Sequence, residues 1–151
     1  MIRWRGRVDK SEIGAASSGL TASARRGPTV LIIEDHPAQA ELVATIVSSL
    51  GYHCELASDG AKGLAMLRET HPVLILLDLN MPQFDGLGFL QRFKSSGEFS
   101  TVPVIVTTAS QSIEVITKVC AMGARDFIPK PIDPATLIAK VQKHAPIRAR
   151  R

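Results

Sequence analysis

Residues 74–86 read LILLDLNMPQFDG. Leu74, Ile75, Leu76 and Leu77 form an apolar run that ends in a carboxylate, Asp78, after which Asn80-Met81-Pro82 and Asp85-Gly86 break the chain. A short apolar run bounded by turn residues is the pattern of a strand buried on both faces. An acid at its end is then aimed out of the edge of a sheet. A helix cap is the plainest account of such an aspartate, so the other apolar runs decide what Asp78 means.

Four further runs have the same form. TVLIIED begins at Thr29, YHCELA at Tyr52, VPVIVTTA at Val102 and DFIPKP at Asp126. Between them lie segments with helical spacing. Leu42, Val43, Ile46, Val47 and Leu50 follow Pro37, which suits a first helical turn, and Gly51 ends that helix. Ser58-Asp59-Gly60 opens a second helix carrying Leu64, Ala65 and Leu67, which ends by His71-Pro72. Gly86 to Lys94 is expected to turn Leu87, Leu90 and Phe93 inward. Ile113, Ile116, Val119 and Cys120 form the expected apolar side of the next helix, and Asp133-Pro134 caps a last helix to about His144. Strand–helix alternation repeated five times predicts an α/β fold, a doubly wound five-stranded parallel sheet with helices on both faces. Ligands in such sheets bind beyond the carboxyl ends of the strands.

Composition narrows the function. The chain of 151 residues carries a net charge of +4, but unevenly: +4 falls on residues 1–28, +5 on residues 140–151, and −5 on the body between them. Residues 1–28 are expected to be a flexible basic extension, residues 29–145 one domain, and residues 146–151 a basic tail. Solvated ends account for this charge, and no nucleic-acid contact is expected. Trp4 lies among the arginines of the extension and is read with it. No apolar run approaches the roughly 18 residues of a membrane span. MIRWRGRVDKSEIG lacks the apolar stretch of a secretory signal. A cytoplasmic protein without membrane insertion is expected, and Cys54 and Cys120 are read as buried thiols.

The strand ends give Asp78 its company. The first run ends in Glu34-Asp35, the third in Asp78, the fourth in Thr107-Thr108 and the fifth in Lys130. All project at one edge of a parallel sheet. Alternation puts Thr107 on the other face from Thr108, which makes Thr107 a packing residue. Two carboxylates about 4 Å apart repel by roughly 4 kcal/mol at an effective dielectric near 20. Three of them need more cation than Lys130 supplies, and an all-oxygen site with few protein ligands suits Mg²⁺. Such a site can hold a phosphoryl group, and a carboxylate can attack phosphorus to form an aspartyl phosphate. His36, His53, His71 and His144 show no metal spacing and are given no catalytic role. Asp85-Gly86 is read as turn chemistry.

LIIEDHP, LLDLNMPQFDG, VPVIVTTAS and DFIPKP, in this order and spacing, resemble the receiver domain of two-component response regulators over residues 29–145. In architecture the chain resembles the stand-alone chemotaxis regulator. The resemblance implies the flavodoxin-like strand order 2-1-3-4-5. It implies Asp78 as phosphoacceptor, with Glu34, Asp35, Asp78 and the Asn80 backbone carbonyl holding Mg²⁺. It implies Thr108 as the switch hydroxyl, Lys130 as the phosphate-binding lysine, and Lys130-Pro131 as a bond usually cis in the family. Phe127 takes the aromatic switch position, where the ring is kept but the hydroxyl of the frequent tyrosine is lost. Ala109 is the small residue that leaves the acceptor accessible, and Asn80 and Ser110 stand where the family tunes dephosphorylation.

The implied function is a phosphoacceptor signalling protein rather than an ordinary enzyme. A histidine kinase or histidine phosphotransfer protein is the expected donor. A downstream protein is the expected target, through the face formed by the fourth helix, fifth strand and fifth helix. The chain ends soon after the fifth helix, so no output domain is expected. The alternative is an interaction module that works on the same scaffold without phosphorylation. A flavodoxin-like carrier is disfavoured, because EDHPAQAE after the first strand would repel a flavin phosphate. An aspartate-dependent phosphatase would want an acid two residues after the nucleophile, where this chain has Asn80. Because residues 1–27 have no apolar period able to bury a face, a chain beginning at Pro28 is expected to fold and to accept phosphate at the full-length rate. A large drop in its melting temperature would place the domain boundary earlier.

Overall fold

Each apolar run becomes one strand of a single sheet, and each helical pattern becomes the crossover to the next. The computed structural model describes residues 27–81, 86–97 and 101–148. Residues 1–26 of the basic extension with Trp4, Asp85 with its expected turn, and the last three residues of the tail lie outside the described residues. The elements are β1 (Thr29–Ile33), α1 (Pro37–Ser49), β2 (His53–Ala57), α2 (Gly60–Thr70), β3 (Leu74–Asp78), α3 (Gly86–Ser96), β4 (Val104–Thr108), α4 (Ile113–Ala121), β5 (Asp126–Pro129) and α5 (Pro134–His144). All pairings are parallel and the order is β2-β1-β3-β4-β5, as expected.

The period-2 alternation of the strands divides the core in two. Val30, Ile32, Leu74, Leu76, Ile105 and Ile128 pack under α1 and α5, against Ala40, Val43, Val47, Leu137 and Val141. Leu31, Ile33, Ile75, Leu77, Val104 and Val106 pack under α2, α3 and α4, against Met66, Leu67, Phe89, Leu90 and Val119. Both central strands β3 and β4 are buried at every residue. The helices start as the sequence indicates. Asp59 and Asp133 accept the backbone N–H groups of Lys62 and Thr136, and Pro37 and Pro134 occupy first turns. Gly51 takes a left-handed φ of 102° and turns the chain out of α1. The Tyr52 hydroxyl donates to the Ala145 carbonyl, which ties the start of β2 to the end of α5.

Three helical faces differ from the expectation. In α1, Leu42 is 59% exposed, and the buried stripe is Ala40, Val43, Ala44 and Val47. In α2, Ala65 is exposed and Met66 takes the inward place. In α4, Ile113 is 80% exposed and Cys120 is also exposed, so Cys120 is not a buried thiol, while Cys54 is. Among these α4 residues Val119 alone is fully buried, with Val115 and Met122 partly buried beside it. The physical reason is shared by α1 and α4. Each carries two stripes at helical spacing, and spacing does not say which one meets the sheet. In α1 the expected Val43 and Val47 are buried and Ile46 and Leu50 pack partly buried beside them, so only Leu42 gives way, to the small Ala40 and Ala44.

Phe89 is completely buried and stacks on Phe93 with ring centroids 5.7 Å apart. Phe89→Ala would leave a cavity between α3 and the sheet. It is expected to lower the unfolding free energy by about 3–5 kcal/mol in urea titrations. A loss below about 1 kcal/mol would mean that the two-layer packing is wrong at this helix.

Candidate functional site

The carboxyl ends of β1, β3 and β5 deliver three charged side chains to one point. Glu34 follows β1, Asp78 ends β3 and Lys130 follows β5. The Lys130 ammonium donates to Asp78 Oδ1 at 3.0 Å and to Glu34 Oε2 at 3.4 Å. Asp78 is 2% exposed and Glu34 7%. Asp35 is exposed beside them. Oxygen atoms of Glu34, Asp35 and Asp78 all lie within 4.8 Å of one another, a cluster able to hold a metal ion. Every donor is a carboxylate oxygen, which fits a hard divalent cation.

Electrostatics shows what the cluster lacks. The Glu34 pKa is raised from 4.5 to about 7, chiefly by burial and then by the nearby Asp78 charge, against the lowering effect of Lys130 and of the His36 N–H. The Lys130 side chain is partly buried, which alone would lower its pKa; its bond to Asp78 and the Glu34 charge reverse this and raise it. One ammonium therefore does not neutralise the carboxylates around it.

The remaining expected residues surround this core at different distances. The Asn80 N–H donates to Asp78 Oδ1 at 3.0 Å, so both hydrogen bonds described for Asp78 fall on the same oxygen. Thr108 is buried, and its hydroxyl accepts from the Ser110 N–H at 3.0 Å. Ser110 Oγ in turn accepts from the N–H of Ser112, the residue that caps α4. Ala109 is exposed. Thr107 is buried at the end of β4. Lys130-Pro131 is cis. Gly86 opens α3 against the strand end: a Cβ there would lie 2.9 Å from Leu79 Cα and 3.0 Å from the Asp78 carbonyl oxygen. Only glycine allows α3 to start this close to the segment that carries Asp78.

Sequence reasoning missed one group near Phe127. Asp126 Oδ1 accepts from Lys140 at 2.6 Å, and Oδ2 meets His144 Nε2 at 3.0 Å. Burial would raise the Asp126 pKa, but the bonds from Lys140, His144 and the Phe127 N–H outweigh it and hold the carboxyl at about 2. By sequence, Lys140 belongs to the basic end and His144 shows no metal spacing. Their signal was a spacing of four on α5, which puts both on one face of the helix. Among the described residues, no helix is long and apolar enough to cross a membrane.

The Glu34 shift has a consequence for stability without metal. The unfolded chain releases this proton near pH 4.5 and the folded chain near pH 7. The stability carried by Glu34 is thus fully present below about pH 4.5 and is lost as pH rises to about 7. In EDTA, Glu34→Gln is expected to remove up to about 1.4 kcal/mol per pH unit of downward slope inside that window. Urea titrations at several pH values check this, and an unchanged slope would contradict the burial of an uncompensated carboxylate.

Comparison with known proteins agrees with this geometry. The sequence model described as "Response regulator receiver domain" matches residues 30–142. The DNA-binding dual master transcriptional regulator RpaA of Synechocystis sp. is 36% identical over 115 residues, which cover 76% of this chain and 48% of the regulator. The sensor histidine kinase RcsC of Escherichia coli is 36% identical over 103 residues, covering 68% of this chain and 11% of the kinase. This chain thus spans about half the length of the regulator and about a tenth of the kinase. Among solved structures, the chemotaxis protein CheY4 of Vibrio cholerae superposes with a TM-score of 0.74 at 27% identity, covering 78% of this chain and 98% of that one.

Proposed function

The chain belongs to the response regulator receiver domain family, and from that premise we propose that Asp78 accepts a phosphoryl group and that the acylphosphate so formed changes the affinity of the domain for a protein target. The donor is the phosphohistidine of a histidine kinase or histidine phosphotransfer protein. An Asp78 carboxylate oxygen forms the new O–P bond while the P–N bond breaks, and the imidazole leaves with the electron pair. The observation that carries this reading is the Lys130 ammonium bridging Asp78 and Glu34 at a cluster of three carboxylates. A nucleophile is thereby held beside a fixed positive charge at the carboxyl edge of the sheet.

Glu34, Asp35 and Asp78 would hold Mg²⁺, with the Asn80 carbonyl as a further ligand, and the ion would neutralise charge on the phosphoryl oxygens. Lys130 is within reach of those same oxygens through its bond to Asp78. Thr108 leaves the Ser110 N–H and donates its hydroxyl to the phosphoryl group. Phe127 follows on β5. Ala109 keeps the approach open, and Asn80 and Ser110 set the lifetime of the phosphoryl group. The target binds the face made by α4, β5 and α5, where Ile113 is exposed. Residues 29–145 form the working unit, and it works in the cytoplasm. This is a conformational equilibrium biased by a local change of charge.

Asp78→Asn keeps the shape and removes the nucleophile. Wild type incubated with acetyl phosphate and Mg²⁺ is expected to gain one phosphate by mass spectrometry, and Asp78→Asn none. Glu34→Gln combined with Asp35→Asn is expected to weaken Mg²⁺ binding and slow the reaction with the fold retained. An undiminished adduct on Asp78→Asn would refute the assignment. No adduct on wild type would favour a module that binds partners without phosphorylation.

A further inference from the structure

Phe127 is gripped from the last helix in a way that an ion pair alone does not require. The Phe127 N–H donates to Asp126 Oδ1 at 2.9 Å. The Phe127 carbonyl accepts from Lys140 Nζ at 2.8 Å. The same ammonium bonds Asp126 Oδ1 at 2.6 Å and stands 5.1 Å from the centre of the Phe127 ring, within cation–π reach. His144, one turn further along α5, engages the other oxygen of Asp126. One ammonium thus meets the backbone and the ring of a single residue, while two helix side chains fix the carboxylate next to it.

We infer that Lys140 is a positioning residue that holds the Phe127 ring in its resting place and couples any movement of that ring to α5. The inference rests on the reading of Phe127 as the aromatic that responds to phosphorylation. Three observations support it. Phe127 is only partly buried, packed at the edge of the core under α2, α3 and α4, so apolar packing leaves it freedom that Lys140 removes. A phenylalanine has no hydroxyl to fix its ring by hydrogen bonding, and the ammonium supplies another means. The Lys140 side chain is largely withdrawn from water between Asp126 and the ring, where a cation–π contact is less screened. The Asp126 carboxyl, held at about 2, reports the same contacts.

The coupling makes α5 respond separately from α4. Thr108 leads to α4 through Ser110 and Ser112. Phe127 leads to α5 through Lys140. Breaking the second link should silence one helix and leave the other.

Two readouts test this, with Lys140→Met to remove the charge at similar length and Lys140→Arg to restore it. The first uses the full chain without phosphodonor and follows the Phe127 ring and its χ1 couplings by NMR with labelled phenylalanine. Wild type and Lys140→Arg are expected to show one rotamer, and Lys140→Met an average of several. The Asp126 titration, moved up from about 2, shows that the contact is gone. A Phe127 ring that stays in one rotamer in Lys140→Met overturns the proposal. If that variant does not fold, Lys140→Gln is read in the same way. The second readout is the amide shift change caused by acetyl phosphate and Mg²⁺, per phosphorylated molecule. In Lys140→Met the change over residues 113–121 is expected to persist and that over residues 134–144 to fall at least twofold. A full change over residues 134–144 also overturns the proposal. Absence of a phosphate adduct on wild type counts instead against the reading of Asp78, and the ring measurement then decides the role of Lys140.

Discussion

Two buried carboxylates share one ammonium, and the arrangement around them follows from that shortage of positive charge. Glu34 and Asp78 are nearly inaccessible, Asp35 stands beside them, and Lys130 bridges the first two. Buried ions are costly unless paired and hydrogen-bonded. Here three acids face a single lysine, and burial, together with the Asp78 charge, raises the pKa of Glu34. Protonating Glu34 is one way to relieve the shortage; a divalent cation is another, and it leaves the carboxylates free to act as ligands.

The sheet explains why these residues meet. Pairing of Ile33 with Leu77, continued by one residue, sets Glu34 opposite Asp78. Glu34 continues the alternation of Val30 and Ile32, Asp78 that of Leu74 and Leu76, and Lys130 that of Ile128, all on the face covered by α1 and α5. Thr108 continues the alternation of Val104 and Val106, on the face covered by α2, α3 and α4. The site therefore straddles the edge of the sheet, with its charges drawn from one layer and its hydroxyl from the other. A group added to Asp78 would be felt by both cores at once.

This geometry was legible in the sequence wherever a period-2 strand dictated direction. Glu34, Asp78, Thr108 and Lys130 are each the polar end of an apolar run, so knowing the strands was enough to gather them. Helix faces were less legible. Of the expected stripe Ile113, Ile116, Val119 and Cys120, Val119 alone is buried on α4, flanked by Val115 and by Met122 just past the helix, and nothing local to nine residues decides between the two sides. On α1, hydrophobicity favours Leu42 over Ala40, whereas close approach to the strands favours the smaller side chain. The contacts of Asp126 with Lys140 and His144 join residues 14 and 18 apart, through a loop whose path no periodicity encodes. Local rules fix what a residue can face; tertiary packing selects which option is used.

The strength of the resting contacts bounds the response. A neutral hydrogen bond such as that from the Ser110 N–H to Thr108 contributes roughly 0.5–1.5 kcal/mol net. A partly desolvated cation–π contact such as Lys140 on Phe127 adds roughly 0.5–2 kcal/mol. Releasing both would cost about 1–3.5 kcal/mol on these figures. A phosphoryl group on Asp78 would offer charged hydrogen bonds of roughly 1.5–3 kcal/mol each. The two sides are comparable, so neither state would be overwhelming. A ligand shifts such an equilibrium only by its differential affinity for the two states. The acidic cluster would then decide whether a phosphoryl group can be held, and Thr108 and Phe127, with the small bonds that restrain them, would decide how far the rest of the domain follows.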